Sequence, residues 1–406
     1  MKIKNCINCK NNKFFQVFSL GKMNFSGKFA KSYKENIPSD WLNLILCKKC
    51  SLLQLDRSFD KNFLYGKDYG YRTGINKTMT NHVKQTVKLC TKLIDLKKDE
   101  HVLDIASNDG TLLNFYPKKI ITVGVDPIIN KYKKYYKKIN FKISNFFSLM
   151  EINKLKLKKK FKIITALSVF YDLKNPNKFL REVRQIMDRD GIFILEHADL
   201  YSIIKNNIFD TICHEHLSYL SSEVIISMAK KNKLKVFRHE FNDINGGSSR
   251  YFISHEDSKY KIENSIKRVR KLEKLMSLNT VSTLKKFFNR ILKESIRLKK
   301  LIQAIKEKKL IIHGYGASTK GNILLQFSKI GSNEINFIAD RNTSKYNLYT
   351  PGTKIKIISE KQSRILKPNY YLVLPWHFKK EILLREKKIR KKGVKFIFPL
   401  PKVKII

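Results

Sequence analysis

Short apolar segments that alternate with amphipathic stretches are the feature that most constrains the fold of this chain. Between residues 76 and 255 they recur with the spacing of strands joined by helices, and a closing pair flanks a turn. Strands that alternate with helices assemble into a mostly parallel, doubly wound sheet. The pattern therefore predicts an α/β protein with a Rossmann-like central domain. The predicted strands are HVLDIA (101–106), IITVGVD (120–126), FKIITALSV (161–169), GIFILEH (191–197), LKVFRHE (234–240) and SRYFISH (249–255).

The chain has 406 residues, which exceeds what one hydrophobic core normally organises, so more than one domain is expected. Residues 256–308 have helical spacing and lack Gly and Pro, which predicts one or two long helices. A second α/β unit follows, with the segments LIIHGYGASTKGNILLQF, INFIAD, YYLVLPW and VKFIFPLP. We therefore predict an N-terminal lobe (1–75), a central Rossmann-like domain (76–255) and a C-terminal helical plus α/β domain (256–406).

Four cysteines form two Cys-x-x-Cys pairs near the N-terminus. Each pair brings two thiolates onto one tetrahedral ion, and two pairs complete a shell that leaves no open position. Such a site is structural, and zinc binding worth about 10–16 kcal/mol can fold a lobe too small to own a core. Cys90 and Cys213 lie outside the pattern. The predicted ligands of a structural Zn²⁺ are Cys6, Cys9, Cys47 and Cys50.

The formal net charge is +49, an excess that ordinarily suggests a polyanionic partner such as nucleic acid. The lysines are spread along the whole chain together with abundant Ile, Asn, Phe and Tyr, as AT-rich codon usage produces. We therefore interpret the charge as compositional. The start resembles no signal peptide, and no segment reaches the roughly 20 apolar residues of a membrane span, so a cytoplasmic protein without membrane contact is expected.

The segment that follows the first predicted strand, DIASNDG (104–110), stands where nucleotide-binding α/β folds place a glycine-rich turn. Asp126 ends the next strand, where a carboxylate can accept both hydroxyls of a ribose. An acidic strand edge suits a cationic amino-acid group better than a pyrophosphate, so the two features favour S-adenosylmethionine over NAD. Residues 144–147 could flank the adenine, although a plain Asn/Phe turn fits equally well. The predicted cofactor-binding residues are Asp104, Ala106, Ser107, Asn108, Gly110, Asp126, Pro127, Asn145 and Phe146.

The densest polar cluster of the chain is FDTICHEHLSY (209–219). Its two histidines titrate near neutrality and flank a glutamate that can orient one of them. Their i, i+2 spacing suits a metal site poorly on a helix. We therefore expect acid–base chemistry from this segment, which follows the fourth predicted strand.

Taken in order, the motifs give the chain a nearly full-length resemblance to a known family. The chain resembles the zinc-containing, S-adenosylmethionine-dependent C-methyltransferases that act on nucleotide-linked deoxyketosugars. The resemblance implies a zinc lobe, a class I methyltransferase domain and a C-terminal domain that helps bind the nucleotide-sugar. It rests on the paired cysteines, the aromatic stretch around Tyr69 and Tyr71, IASNDGTLL, FDTICHEHLSYLS, NGGSSR (245–250), GYGASTKGN (314–322), DRNTSKYNLYTPGTKI (340–355) and FPLPKV.

In that family a base removes a proton beside a ketone, and the resulting enolate attacks the methyl group. His216 matches the position of the base, and Tyr71 matches a tyrosine that closes over the site. The chain departs from the family at Cys213, where tyrosine is common, and at 170–172 (FYD), where a histidine is common. Cys213 is more readily a small polarisable filler than a nucleophile. The predicted catalytic residues are His216, Glu215, Tyr71 and His214.

The turn GYGASTKGN follows a strand and opens a helix, which is the geometry of an anion site. Ser318, Thr319 and Lys320 could meet a pyrophosphate there. A second dinucleotide site is the rival interpretation, although the glycine spacing fits neither G-x-G-x-x-G nor the P-loop. The glycines at 246–247 also fit a plain hairpin turn. The predicted substrate-binding residues are Tyr219, Asn245, Arg250, Tyr315, Ser318, Lys320, Asn322 and Arg341.

Three functions remain open from the sequence. The order of the motifs favours a C-methyltransferase that acts on a nucleotide-linked sugar. A basic, zinc-containing protein that binds or methylates nucleic acid is the alternative, and a non-catalytic zinc and nucleotide binding module is the third. We expect a nucleotide-linked sugar as the partner, no nucleic acid, and a monomer.

Overall fold

The computed structural model describes residues 1–66 and 70–406 and contains three β-sheets. The predicted α/β class with a Rossmann-like central sheet is confirmed. Tyr69, in the predicted aromatic stretch, lies outside the described residues.

An antiparallel sheet in the order β1-β2-β3-β9 forms most of the N-terminal lobe. Three of its strands come from the lobe, but β9 belongs to the predicted central domain and pairs Leu53 with Tyr219. A short helix, Lys61–Leu64 (α1), follows β3. The sheet therefore joins the lobe to the segment that follows His216. Its strands are Phe14–Asn24 (β1), Ser39–Cys47 (β2), Leu53–Leu55 (β3) and Ser218–Tyr219 (β9).

The central sheet has the order β10-β11-β8-β7-β4-β5-β6, with β4 to β8 parallel and the β10–β11 hairpin antiparallel at one edge. Because parallel strands end at the same edge, the segments that follow β4, β5 and β7 meet there. The strands are His101–Ile105 (β4), Ile121–Val125 (β5), Phe141–Ile143 (β6), Phe161–Leu167 (β7), Met187–His197 (β8), Leu234–Asn242 (β10) and Ser248–His255 (β11).

Six helices accompany this sheet, and asparagine or serine caps begin several of them. The Asn76 side chain accepts from Met79 N at the start of α2, and Asn175 caps α5, where Pro176 occupies the first turn. The helices are Lys77–Leu93 (α2), Ile129–Tyr132 (α3), Leu149–Asn153 (α4), Pro176–Ile186 (α5), Leu200–Lys205 (α6) and Ser222–Lys231 (α7).

The C-terminal region begins with two helices, Asn264–Leu275 (α8) and Val281–Glu307 (α9). Ser277 has a φ of 49° between them, and Thr280 caps α9. The sheet that follows has the order β14-β13-β12-β15-β16-β17, parallel except for β17. Its elements are Ile312–Tyr315 (β12), Thr319–Phe327 (α10), Phe337–Asp340 (β13), Lys356–Ser359 (β14), Glu360–Ile365 (α11), Tyr370–Val373 (β15), Lys379–Arg385 (α12), Lys387–Lys391 (α13), Lys395–Phe398 (β16) and Lys404–Ile405 (β17).

The N-terminal lobe shares its core with the C-terminal region. Phe18 of β1 stacks on Phe288 of α9 with ring centroids 4.9 Å apart, and both regions contribute to one buried apolar cluster. The buried Cys6 and Cys47 belong instead to a cluster on the central sheet. The lobe is therefore packed against both neighbours. No helix in the described ranges is long and apolar enough to cross a membrane.

Candidate active site

One cavity of about 850 Å³ lies at the carboxyl edge of the central sheet and extends to the C-terminal sheet. Its volume is within the range of small-molecule sites, roughly 300–1,000 Å³. The N-terminal lobe, the loop after β4, the His-Glu-His segment and the turn before α10 all contribute walls. The predicted site residues that line it are Tyr71, Asp104, Ala106, Ser107, Asn108, Asp126, Pro127, Asn145, Phe146, Glu215, His216, Asn245, Tyr315, Ser318, Lys320 and Arg341.

The loop after β4, residues 106–110, has a sharply turned backbone. Ala106 and Asn108 have φ values of 59° and 53°, in the left-handed region that favours glycine. Ala106 N donates to Val125 O at 2.8 Å. The Asp126 carboxylate accepts from Asn108 N and from Ile128 N, each at 2.9 Å. The turn therefore holds Asp126 in the cavity wall, where its remaining lone pairs can accept from a ligand.

Gly110 does not line the cavity, so its predicted cofactor contact is replaced by a role in shaping the loop. Its φ is +74°, and a Cβ at this position would lie 2.7 Å from Ile139 Cδ1 and 3.1 Å from Tyr136 Cδ1. The Tyr136 hydroxyl is 2.8 Å from Ser107 Oγ and donates to Asn108 O at 2.9 Å. Glycine thus allows the loop to pack against the tyrosine that supports it from behind.

Two buried carboxyl groups, those of Asp104 and Asp126, line the cavity at the ends of β4 and β5, the side on which the cofactor is predicted to bind. Burial raises the pKa of Asp104 to about 7, and the nearby charge of Asp126 adds to the shift, while the Thr165 hydroxyl donates to Asp104 at 2.6 Å and opposes it. Burial raises the pKa of Asp126 to about 6, against the effect of its two backbone N–H donors. Both groups therefore titrate close to neutral pH.

Pro127, Asn145 and Phe146 line the far end of the cofactor side. Phe146 N donates to its neighbour Asn145 Oδ1 at 2.8 Å, which fixes the turn after β6. Lys61 Nζ of the N-terminal lobe lies 3.9 Å from the centroid of the Phe146 ring, in cation–π contact. The lobe therefore contributes part of the wall at this end of the cavity.

His216 presents one ring nitrogen to the protein. Its Nδ1 lies 2.7 Å from Thr211 O, which fixes the tautomer with Nδ1–H as donor and leaves the Nε2 lone pair available. The Tyr171 ring lies 4.1 Å away, centroid to centroid. Burial, followed by the charge of Lys320, lowers the pKa of His216 to about 3. The imidazole is therefore neutral at physiological pH and can accept a proton.

His214, predicted to be catalytic, is not among the residues that line the cavity, and its contacts are those of a structural residue. It is fully buried and stacks on Phe25 with centroids 4.3 Å apart. Its Nε2 lies 3.2 Å from Asp40 O. Tyr219, predicted to bind substrate, is likewise outside the cavity because it pairs with Leu53 in the N-terminal sheet and is 2 % exposed.

Glu215 lines the cavity, but the Thr211 carbonyl, and not this carboxylate, orients His216. The Glu215 carboxylate accepts from Ser26 Oγ at 3.5 Å, and burial raises its pKa. Gly27 packs so closely that a Cβ there would lie 2.6 Å from Glu215 Oε1. Asn322, predicted to bind substrate, is fully buried and donates to Ser26 O at 2.7 Å, so it supports this backbone and does not line the cavity.

Arg250 belongs to a buried ion-pair network that sequence reasoning missed. Its Nε donates to Glu196 Oε2 at 2.8 Å, and its Nη2 donates to Thr86 Oγ1 at 2.9 Å. His82 Nε2 lies 2.5 Å from Glu196 Oε1. His82 and Glu196 line the cavity, whereas Arg250 does not, so its predicted substrate contact becomes a role in holding Glu196. The signal for Glu196 was available, since it stands near the carboxyl end of β8.

Asp172 and Cys213 also line the cavity near Glu215. Asp172 Oδ1 is buried and has no hydrogen-bond partner among the described residues, and burial raises the pKa of Asp172 well above its ordinary value. Burial likewise raises the pKa of the Cys213 thiol, which excludes a resting thiolate nucleophile. The residues at the two positions where the chain departs from the family pattern therefore form part of the cavity wall.

The turn before α10 forms the opposite wall. Ser318 caps the helix by accepting from Gly321 N at 3.0 Å. Lys320 Nζ donates to Asn245 O at 2.9 Å, and burial lowers its pKa. Arg341 is partly exposed at the cavity rim, 3.8 Å from the Glu381 carboxylate. These contacts place positive charge opposite the loop after β4, residues 106–110, which is the predicted cofactor loop.

Tyr71 projects into the cavity. The residue lines the cavity and is 45 % exposed, and its partial burial raises the pKa of its phenol above the ordinary value. The hydroxyl therefore remains protonated and able to donate a hydrogen bond.

The four predicted zinc ligands come together in the lobe. Their sulfur atoms all lie within 4.8 Å of one another, and the Cys6–Cys50 and Cys9–Cys47 pairs are each 3.5 Å apart. A tetrahedral ion with bonds of about 2.3 Å would space its sulfur ligands about 3.8 Å apart, so the set fits zinc. The two Cys-x-x-Cys turns have the same backbone hydrogen bond. Lys10 N donates to Cys6 O, and Ser51 N donates to Cys47 O, each at 3.0 Å.

The fold and this cavity define a class of protein. A doubly wound sheet with carboxyl groups at the ends of its first two strands, at the edge of a cavity, is the arrangement by which α/β folds bind a nucleotide-containing cofactor.

Comparisons with known proteins agree. Residues 76–239 match the methyltransferase domain family, and residues 243–401 match the C-methyltransferase C-terminal domain family. The chain is 26 % identical over 412 residues to the C-methyltransferase NovU of Streptomyces niveus, covering 100 % of this chain and 97 % of NovU. The chain is an S-adenosylmethionine-dependent methyltransferase that carries the C-methyltransferase C-terminal domain.

Solved structures similar to this chain include other methyltransferases. One from Clostridium acetobutylicum is 13 % identical, with a TM-score of 0.35, over 43 % of this chain and 90 % of that one. PKMT2 from Rickettsia typhi, in complex with AdoHcy, is 17 % identical, with a TM-score of 0.34, over 44 % of this chain and 54 % of that one.

The affinity for S-adenosylhomocysteine should fall when the pH drops below about 7. Asp104 and Asp126, with pKa values of about 7 and about 6, would have to lose protons to accept from the ligand. Below its pKa, each carboxyl weakens binding up to tenfold per pH unit, whereas affinity is flat above both values. Calorimetric titration from pH 5 to 8 measures this. Asp126→Asn should bind more weakly at pH 8 and lose the lower part of the pH dependence. An unchanged affinity from pH 8 to 5 would contradict the assignment.

Proposed function

We propose that this methyltransferase transfers the methyl group of S-adenosylmethionine to a carbon atom beside a ketone in a nucleotide-linked sugar. The observation that carries the proposal is the placement of His216. A neutral imidazole with a free Nε2 lone pair lines the same cavity as the cofactor loop and the turn before α10. The match of residues 243–401 to the C-methyltransferase C-terminal domain supports carbon as the acceptor.

Bound S-adenosylmethionine supplies an electrophilic methyl group, and the residues that would hold it are present. Asp126 would accept from the ribose hydroxyls, and Asp104 would meet the amino group. Asn145 and Phe146 would flank the adenine, with Lys61 behind the Phe146 ring. The loop's small Ala106 allows a ligand to approach the backbone.

The base of the proposed reaction is His216. Its Nε2 would take a proton from the carbon beside the ketone, and the electron pair of that C–H bond would become the enolate. This electron pair would form the new C–CH₃ bond as the S–CH₃ bond of the methyl donor breaks, and S-adenosylhomocysteine would leave with the electrons of that bond. The Thr211 carbonyl then stabilises the imidazolium through Nδ1–H. Because an imidazole is a weak base, the acceptor C–H would have to be acidified by the adjacent ketone.

Hydrogen-bond donors around the imidazole can stabilise the enolate oxygen. Tyr71 keeps its phenol proton, and Lys320 supplies positive charge. Such preorganised donors commonly contribute as much as the base itself. Asn245, Tyr315, Ser318 and Arg341 complete the polar wall on the C-terminal side, where a nucleotide diphosphate would lie.

We propose zinc as the ion of the four-cysteine cluster. Because all four positions of a tetrahedral shell would be filled by thiolates, its role is to fold the lobe.

The proposal predicts exchange of a carbon-bound proton before methyl transfer. In D₂O with S-adenosylhomocysteine, the protein should catalyse deuterium incorporation beside the ketone of a nucleotide-linked ketosugar, because His216 can remove the proton without a methyl donor. NMR follows the loss of the proton signal, and S-adenosylmethionine labelled with ¹³C at the methyl group reports the new C–CH₃ bond.

The reduced sugar, with a hydroxyl in place of the ketone, is the matched control and should show neither signal. Methyl transfer to oxygen or nitrogen, or none to a panel of nucleotide ketosugars by protein that binds S-adenosylhomocysteine, would contradict the proposed acceptor.

A further inference from the structure

The segment that carries Tyr71 is attached to the cofactor loop by side chains of that loop. Asn108 Nδ2 donates to Tyr71 O at 3.1 Å. Asn108 Oδ1 accepts from Thr73 N at 2.9 Å, and Thr73 Oγ1 lies 3.2 Å from the same oxygen. The Asn108 amide therefore bonds to the carbonyl of Tyr71 and to the N–H of Thr73, the two neighbours of Arg72.

The next loop residue makes a second attachment. Asp109 is 1 % exposed, and its Oδ2 accepts from Gly74 N at 2.9 Å. A Cβ on Gly74 would lie 2.8 Å from that oxygen, so the absence of a side chain at Gly74 lets its backbone meet the Asp109 carboxylate this closely. Arg72 Nε lies 3.8 Å from the same carboxylate.

The turn itself does not require the Asn108 side chain. With a φ of 53°, residue 108 has a backbone conformation that glycine adopts more readily than asparagine. Helix α2 begins with its own cap, Asn76, so the attachment is not needed to start that helix. What the side chain adds is a connection between the cofactor wall and the segment that presents Tyr71.

The same residue also touches the ribose side of the site. Its backbone N–H donates to Asp126 Oδ2 at 2.9 Å, and Asp126 is the carboxylate that we assign to the ribose hydroxyls. Asn108 therefore contacts the ribose carboxylate through its backbone and the Tyr71 segment through its side chain.

We propose that Asn108 is a positioning residue that couples occupation of the cofactor site to the placement of Tyr71 over the acceptor. A bound methyl donor restricts the motion of Asp126 and of the cofactor loop. Because the Asn108 amide bonds to residues 71 and 73, the motion of residues 71–73 is restricted as well. The acceptor then meets a formed site only when the donor is present. This inference rests on the proposed function in that Asp126 binds the cofactor ribose.

Hydrogen–deuterium exchange with S-adenosylhomocysteine as the probe tests the coupling without an acceptor. In the unaltered protein, the ligand should slow exchange severalfold in the cofactor loop and in the peptide covering residues 70–76. Asn108→Gly should retain affinity within about fivefold and protection of the loop, because the backbone donor to Asp126 remains. It should lose the ligand-induced protection of residues 70–76. The melting temperature of the protein should fall by only a few degrees, because glycine relieves the left-handed backbone at residue 108 and partly offsets the lost hydrogen bonds.

Tyr132→Phe is the matched control. The Tyr132 hydroxyl donates to the same Tyr71 carbonyl oxygen at 3.2 Å, but it belongs to α3 and not to the loop. This variant should exchange faster at residues 70–76 with and without ligand and should keep the ligand-induced slowing. This difference between the two variants would distinguish Asn108, which couples the segment 70–76 to the ligand, from Tyr132, which only stabilises that segment.

The outcomes separate two failures. Absence of binding in calorimetry would overturn the assignment of the cofactor site and this inference with it. Binding that protects the loop but not residues 70–76, or equal protection of that peptide in Asn108→Gly, would overturn the coupling alone and leave the proposed reaction standing.

Discussion

Replacing His216 with alanine should reduce the rate of methyl transfer by about 10²–10⁴, because a positioned general base contributes a factor of this size. The affinity for S-adenosylhomocysteine should stay within a few fold, since His216 bonds to Thr211 and not to the cofactor loop. The loss should appear in kcat, and in proton exchange at the acceptor carbon to the same extent. Rates with a ketosugar acceptor and calorimetric affinities measure the two effects.

His214 offers a matched control two residues away. Its ring is fully buried against Phe25 and lies 3.2 Å from Asp40 O, so His214→Ala should destabilise the fold by about 2–4 kcal/mol. The rate per folded molecule should fall far less than in His216→Ala. If His214→Ala abolished turnover with stability unchanged while His216→Ala remained active, the assignment of the base would be wrong.

The contrast between these histidines shows which features of the site could be predicted from the sequence and which could not. Alternation of apolar segments predicted the strands that carry Asp104 and Asp126, because a buried parallel strand and the polar residue at its end are local features of the chain. Which of two histidines at i and i+2 faces the cavity depends on β9, a two-residue strand that pairs with β3 from a distant part of the sequence. No local pattern contains that pairing.

The same limit explains the revised substrate residues. Arg250, Asn322 and Tyr219 are polar residues within motifs, and polarity alone does not distinguish a group that awaits a ligand from one that already has a protein partner. Arg250 is paired with Glu196, and Asn322 bonds to Ser26 O, partners far away in sequence. Asp172, in contrast, has a buried oxygen with no hydrogen-bond partner among the described residues. This property depends on the three-dimensional structure and cannot be predicted from the sequence.

Removing the metal should be the most damaging single change to the lobe. Cys47→Ser, or chelation of the purified protein, should release one zinc per chain and unfold the lobe, because apparent zinc-binding free energies of about 10–16 kcal/mol match or exceed the whole stability of a typical domain. Metal analysis and thermal unfolding measure these effects. We expect turnover to fall at least tenfold.

The loss of turnover follows from the way the lobe holds the catalytic segment. Leu55 N donates to Leu217 O at 3.0 Å, and β3 pairs with β9 directly after His216. When the lobe unfolds, residues 213–219 should exchange their amide protons rapidly, whereas the cofactor loop on β4 should still bind S-adenosylhomocysteine, with a weaker affinity. Cys90→Ala controls for loss of a buried cysteine that is not in the cluster, and it should keep its zinc and most of its activity. A Cys47→Ser protein that lacked metal yet turned over normally would show that the lobe does not position His216.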